Sequence, residues 1–281
     1  MRVLVTGGRG QLARDVATRW TAAGDEVVGL TRDDLDVRDR DAVLGAITTT
    51  RPDVVVNCAA WTAVDACEGD PDRAFAVNAL GVRWVREACE IAGAHLVQVS
   101  TDYVFDGTSP RPYREWDPPR PASVYGASKL GGEHEAGPDA TIVRTSWVCG
   151  EHGNNMVRTV LRLVEERTTL SFVDDQRGCP TFTTDLADAL RRLAADRRPG
   201  IHHVTNRGAV SWYEFVREIV AAAGHDPEMV EPISTADLDP PRPAPRPANS
   251  VLDNAVLRLA GLPELRDFRA PLDELVLALT T

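Results

Sequence analysis

Residues 3–13 read "VLVTGGRGQLA": an apolar β-branched run, a glycine loop, and the first turn of a helical pattern reaching about residue 23. Gly7, Gly10 and Ala13 form a G-x-x-G-x-x-G/A array directly after a strand and at the opening of a helix. Glycines there let the backbone turn tightly and approach a pyrophosphate, whose charge then rests at the helix N-terminus. Alanine is tolerated at the third position, where a small residue only permits close helix packing. Alone, such an array also serves as a plain strand-to-helix turn. Its strand–loop–helix setting at the head of the chain makes it a dinucleotide fingerprint.

Working outward, the same alternation continues. Apolar runs at 2–6, 26–30, 53–57, 95–100, 141–145 and 170–174 alternate with helical patterns near 11–23, 39–49, 72–93, 123–136 and 154–167. Strands apolar on both faces, separated by amphipathic helices, imply a parallel sheet covered on both sides. The expected fold class is α/β, a doubly wound, Rossmann-like parallel sheet over residues 1–145, with about 154–196 packing back onto it. Beyond that the rhythm weakens. A strand "HHVTN" (202–206) precedes a helix capped by Ser211, with Glu214 three residues on as a capping box requires. The run "DPPRPAPRPANS" (239–250) reads as an ordered extended segment, because proline fixes φ. Residues 201–281, with loops near 146–153 and 174–181, are expected to form a smaller α+β substrate-binding domain.

Composition narrows the function classes. The net charge is −11 over 281 residues, with both signs interspersed, which argues against a nucleic-acid partner. Five cysteines without C-x-x-C spacing argue against a disulfide framework or a zinc site. The N-terminus does not resemble a signal peptide, and no apolar run approaches the ~18 residues of a membrane span. The expectation is a cytoplasmic protein with reduced thiols and no membrane partner.

The second run ends "GLTRDDLDV", placing Thr31 and Arg32 where a carboxylate would select NAD by bonding the ribose 2′-hydroxyl. Arg32 suits a 2′-phosphate, so NADPH is expected, while Asp33, Asp34 and Asp36 leave NADH open. Downstream, "SVYGASKLGGE" (123–133) holds Lys129, the single lysine among 31 basic residues, four residues after one of only four tyrosines, Tyr125. On a helix, i and i+4 share a face. An ammonium there lowers a phenol's pKa from ~10 and readies it to exchange a proton with a carbonyl oxygen. Lysine is a compact point charge that arginine does not replace. The run at 95–100 ends in Ser100, Thr101 and Asp102, at the strand edge where open parallel sheets bind ligands. A hydroxyl at that edge can bond the reacting oxygen.

The chain resembles an extended short-chain dehydrogenase/reductase and, more closely, the dTDP-4-dehydrorhamnose reductase family. The resemblance runs through "GGRGQL", "DVVVNCAAWTAVDACE", "AFAVNALG", "VSTDYVFDG", "YGASKLGGE", "RTSWV", "DDQRGCPT" and "RPANS", in order and over nearly the whole chain. It implies reduction of the C4 ketone of a dTDP-4-keto-6-deoxy sugar by NADPH, with Thr101, Tyr125 and Lys129 as the catalytic trio. It assigns the pyrophosphate loop to Gly7, Gly10, Gln11 and Leu12, the adenine side to Asp36 and Val37, and further cofactor contacts to Ala59, Ala60, Asn78, Tyr125 and Lys129. It places Trp61, Tyr103, Trp147 and Arg246 at the nucleotide sugar. Asp15, Asp185 and Asp188 are candidates for a Mg2+ ion that some relatives hold between subunits; no metal ligand is assigned, and monomer or homodimer both stay open.

Four positions depart from the family: Ala13 for glycine, Trp61 and Cys149 for tyrosine, and Met156 for phenylalanine. The last three are expected to border the substrate. Two other readings share the scaffold. A dehydratase or epimerase with bound NAD would use a glutamate in Thr-Asp-Glu, where this chain has Tyr103. A non-catalytic NADP-binding regulatory subunit, resembling that of methionine adenosyltransferase, would not need the intact trio.

Overall fold

The structure, a computed structural model, describes residues 1–281. The first run forms strand β1 (Arg2–Thr6), which feeds helix α1 (Gln11–Ala22) through the glycine loop. Then follow β2 (Glu26–Leu30), α2 (Arg40–Thr50), β3 (Val54–Asn57), α3 (Val64–Gly69), α4 (Pro71–Phe75), α5 (Gly81–Ala92), β4 (His95–Thr101), α6 (Val124–Ala136) and β5 (Thr141–Thr145). The second half holds β6 (Val148–Cys149), α7 (Met156–Glu166), β7 (Leu170–Val173), β8 (Arg177–Gly178), β9 (Thr181–Phe182), α8 (Thr183–Ala195) and β10 (Gly200–His203). It ends with β11 (Val210–Ser211), α9 (Trp212–Ala222), β12 (Val230–Ile233), α10 (Ala255–Leu259) and α11 (Arg269–Thr280).

Six strands make one parallel sheet in the order β10-β5-β4-β3-β1-β2. The apolar runs alternate between its two faces. Val3, Val5, Val54 and Val56 pack towards α1 and α8. Leu4, Val55 and Leu96 pack towards α2 and α5. Both faces are therefore buried, and the expected doubly wound sheet is present. At the carboxyl ends the strands turn polar. The Thr6 hydroxyl donates to Asn57 Oδ1 (2.5 Å), and Asn57 Nδ2 donates to Gln98 Oε1 (2.7 Å), across neighbouring strands.

Two placements differ from the expectation. The run at 170–174 forms β7, but β7 pairs with β12 outside the main sheet. Leu170 and Phe172 point to the second core while Ser171, on the opposite face, is exposed, so this strand is not apolar on both faces. The sixth main-sheet strand is instead β10, which pairs with β5 and begins two residues before the expected "HHVTN" strand. Likewise, only α8 of the 154–196 segment packs back against α1. Val157, Val160 and Val164 of α7 lie in a second core with Phe215 and Ile219 of α9 and Leu272 of α11.

The expected capping box at the start of α9 is present, with Ser211 and Glu214 satisfying each other's backbone N–H groups. The proline-rich run is held by its own hydrogen bonds. Ala244 N–H donates to Asp65 Oδ1 (3.1 Å), Asn249 N–H to the Gly107 carbonyl (3.1 Å) and Ser250 N–H to the Arg177 carbonyl (2.8 Å).

Candidate active site

A cleft of about 690 Å³ opens at the carboxyl ends of β1, β3, β4 and β5. Its floor at the β1 end is the glycine loop. Gly7 has φ +68°, and a Cβ there would lie 2.9 Å from the Ala59 amide nitrogen, so only glycine fits. Gly10 caps α1 without any side-chain hydrogen bond, leaving the first N–H groups of the helix for a ligand. Gln11 and Leu12 also face the cleft. The Gln11 side chain reaches the second core: its Oε1 accepts from Gly150 N–H (3.1 Å) and Asn155 Nδ2 (2.8 Å). Asn155 in turn caps α7.

At the tip of β2 every carboxylate has a local partner. Asp33 pairs with Arg9 (2.6 Å), and Asp34 accepts from the backbone and hydroxyl of Thr31. Arg38 bonds Asp36 and holds its carboxyl at about 2, below the usual range. Arg32 lines the cleft and has no carboxylate within ion-pair distance. Val37, Ala59 and Ala60 line the same end. Asn78 does not. It lies buried behind the wall, with Oδ1 accepting from Trp61 N–H (2.8 Å) and Nδ2 donating to the Trp61 carbonyl (3.0 Å) and Ser128 (3.0 Å). It fixes the residue that lines the cleft.

Thr101, Tyr125 and Lys129 converge at the centre. The Thr101 hydroxyl donates to Asp102 Oδ1 (3.0 Å) and accepts from Tyr103 N–H (3.2 Å). Lys129 Nζ donates to the Val99 carbonyl (2.6 Å) and is buried. Burial lowers the Lys129 ammonium to about 8, against the carboxylate of Glu133, which favours its charge. Glu133 is itself fixed by Arg144 (2.9 and 2.7 Å) and by the Ser100 hydroxyl (2.5 Å). The phenol of Tyr125 departs from the sequence expectation. Burial pushes its pKa up, Thr101 opposes that, and Lys129 is not among the groups that move it. The ammonium is turned to Val99, so desolvation wins. Asp102, buried with Oδ2 unpaired, is raised to about 6 by burial.

The outer wall carries Trp61, Tyr103 and Trp147. Tyr103 packs edge-on to Tyr125 with ring centroids 5.5 Å apart. Burial, then the adjacent Asp102, push the Tyr103 phenol up to about 12. Trp147 has φ +45° and stacks on Trp212 at 3.5 Å and 7°. Trp212, which reads as a packing residue at the start of a helix, lines the cleft. Its sequence pattern carries no sign of this, because the partner ring comes from a distant loop. Arg246 does not line the cleft. Its guanidinium grips Asp65 of α3 (Nη2–Oδ2 2.7 Å) and the Ala244 carbonyl (2.7 Å). Of the departures expected beside the substrate, Trp61 lines the cleft; Cys149 and Met156 instead pack in the second core. Asp188 is engaged by Arg19 and Asp185 by Arg266, and no group of three or more His, Cys, Asp or Glu side chains is arranged to hold a metal ion.

Residues 1–281 match the family model described as the RmlD substrate binding domain. A dTDP-4-dehydrorhamnose reductase of Streptomyces griseus is 46% identical, over 97% of this chain and 92% of the relative. A dTDP-4-keto-6-deoxy-D-glucose reductase of Streptomyces niveus is 39% identical, over 97% and 96%. Among solved structures, the dTDP-4-dehydrorhamnose reductase of Bacillus anthracis in complex with NADP superposes with a TM-score of 0.94 at 36% identity, covering 99% of both chains. With the glycine loop, the converging Thr101, Tyr125 and Lys129 and these full-length matches, the chain belongs to the RmlD family of dTDP-4-dehydrorhamnose reductases.

Proposed function

We propose that the protein reduces the C4 ketone of a dTDP-4-keto-6-deoxy sugar with NADPH, giving dTDP-L-rhamnose or a related deoxysugar. The convergence of Thr101, Tyr125 and Lys129 in one cleft with an uncapped α1 N-terminus carries this reading. The cleft suits the dinucleotide: Gly7 admits close approach at Ala59, and Arg32 is the free cation at the β2 tip while the neighbouring aspartates are engaged. That charge favours a 2′-phosphate, hence NADPH. When bound, NADPH supplies the hydride.

The chain's own residues handle the proton. Tyr125, its pKa raised by burial, keeps its proton at neutral pH and so starts as a donor to the oxygen that becomes an alkoxide. Thr101 sits beside the phenol and offers a hydrogen bond to the same oxygen. Lys129 keeps one compact positive charge in the same cleft, its ammonium held by the Val99 carbonyl and not by the phenol. Asn78 and the Glu133–Arg144 pair hold the wall and the lysine in place. Arg246 acts behind the wall, through Asp65 and Tyr103, in place of the direct sugar contact the resemblance suggests. Tyr103 stands where a dehydratase carries its glutamate, and its high pKa leaves no base there.

The test is NADPH oxidation with dTDP-4-keto-6-deoxy-hexoses and NMR of the product. A C4 alcohol formed one-for-one with NADP+ is expected. Elimination of water, or epimerisation without net NADPH consumption, overturns the reading.

A further inference from the structure

Trp61 replaces the family's usual tyrosine at the cleft wall, and it does not stand alone. Arg73 of α4 lies over its indole ring, with the guanidinium carbon 4.3 Å from the ring centroid. Both residues line the cleft. The backbone under this pair is fixed, because Asn78 bonds both the main-chain N–H and the main-chain carbonyl of Trp61 (2.8 and 3.0 Å), and the side chain packs against the buried cluster of Cys67, Ala74 and Tyr125.

Six arginines in the molecule stack on aromatic rings. Five of them also hold a carboxylate: Arg40 with Glu87, Arg114 with Asp253, Arg144 with Glu133, Arg217 with Glu228 and Arg269 with Glu218. The Arg73 side chain makes neither an ion pair nor a hydrogen bond; only its backbone is used, its N–H on Asp70 (3.1 Å) and its carbonyl within the helix. A guanidinium carries five donors in a planar fork, and stacking one face on a ring leaves the edge of that fork free. On a chain of net charge −11, such a cation at a binding cleft is set apart from the paired surface arginines.

The geometry points to Arg73, carried on Trp61, as a phosphoryl-binding residue of this cleft, taking a diphosphate oxygen of a bound nucleotide. The inference rests on the proposed reading that nucleotides occupy the cleft. Two ligands present that chemistry there, the dinucleotide and the nucleotide sugar. Stacking orients the fork before the ligand arrives, so less side-chain freedom is lost on binding. Trp61 also offers a larger π face than the tyrosine it replaces, and tryptophan is the strongest cation–π partner.

The experiment is calorimetric titration of NADP+ and, separately, of dTDP into the wild-type protein, Arg73→Gln and Trp61→Leu, at low and raised salt. Arg73→Gln is expected to weaken one of the two ligands roughly tenfold at low salt, the loss of one charge-assisted contact. The salt dependence for that ligand should become shallower, because one cation fewer meets the phosphates. Trp61→Leu, which keeps the charge but removes the platform, should weaken the same ligand by a smaller factor. Weaker NADP+ binding assigns the residue to the dinucleotide, and weaker dTDP binding to the nucleotide sugar. If the wild type binds both ligands and Arg73→Gln binds both with unchanged affinity and salt slope, the inference is overturned while the proposed function stands. If the wild type binds neither, the reading on which it rests fails first.

Discussion

Lys129 shows how function and stability oppose each other at one residue. Its ammonium is buried, and burial lowers its pKa to about 8 from an ordinary value near 10.4. The folded state thus binds this proton less tightly than the unfolded state. Below pH 8 the full cost of burying the charge opposes folding, and the cost fades as pH rises from about 8 towards 10.4. Lys129→Met is therefore expected to raise the melting temperature at pH 7, with the gap narrowing between pH 8 and pH 10. The limiting gain is on the order of 3 kcal/mol. Glu133 keeps Arg144 and Ser100 as partners, so the change leaves no orphaned carboxylate. Turnover should be lost in the same variant. Thermal melts across that pH range check it, and a variant less stable than wild type at pH 7 contradicts it.

Helix α6 carries Tyr125 and Lys129, and its position is set by what it lacks. A Cβ on Gly126 would collide with the Tyr103 carbonyl, and one on Gly132 with the Asn78 carbonyl. The helix therefore lies directly against the turn after β4 and the segment that fixes Trp61. Gly126→Ala is expected to lift the start of α6 away from Thr101. A displacement near 1 Å at the reacting groups costs about 10²-fold in rate. Steady-state turnover should fall by that order, while NADP+ affinity, governed largely by the glycine loop, falls far less; equal losses in both would contradict this.

Elements of this kind were legible in unequal measure. The two-faced apolar runs at 2–6 and 53–57 announced central strands, and Ser211 with Glu214 announced the start of α9. The run at 170–174 misled because periodicity cannot say which sheet a four-residue strand joins. The α7 pattern has an apolar face, but the sequence does not say which core receives it.

At the scale of the whole molecule, two cores meet at the cleft. Gln11, at the head of α1, bonds the 150–155 loop and so joins the glycine loop to the second core. The proline-rich run crosses from Asp65 to Arg177 and is bonded at both. Most of the cleft was readable because its residues sit in local motifs: the glycine loop, the end of β4, and Tyr-x-x-x-Lys on one helix face. Arg73, Trp212 and the indirect positions of Asn78 and Arg246 were not, because each is defined by a tertiary partner that no local spacing encodes.

The central claim is that Tyr125 gives the proton that completes ketone reduction. The most direct measurement is single-turnover mixing of NADPH-loaded wild-type and Tyr125→Phe protein with a dTDP-4-keto-6-deoxy-hexose, following loss of nicotinamide absorbance. Phenylalanine fills nearly the same volume, so the cleft and its NADPH affinity should persist. The account predicts hydride transfer slowed by about 10²- to 10⁴-fold in the variant, with NADPH affinity nearly unchanged. Transfer at the wild-type rate in Tyr125→Phe would contradict it.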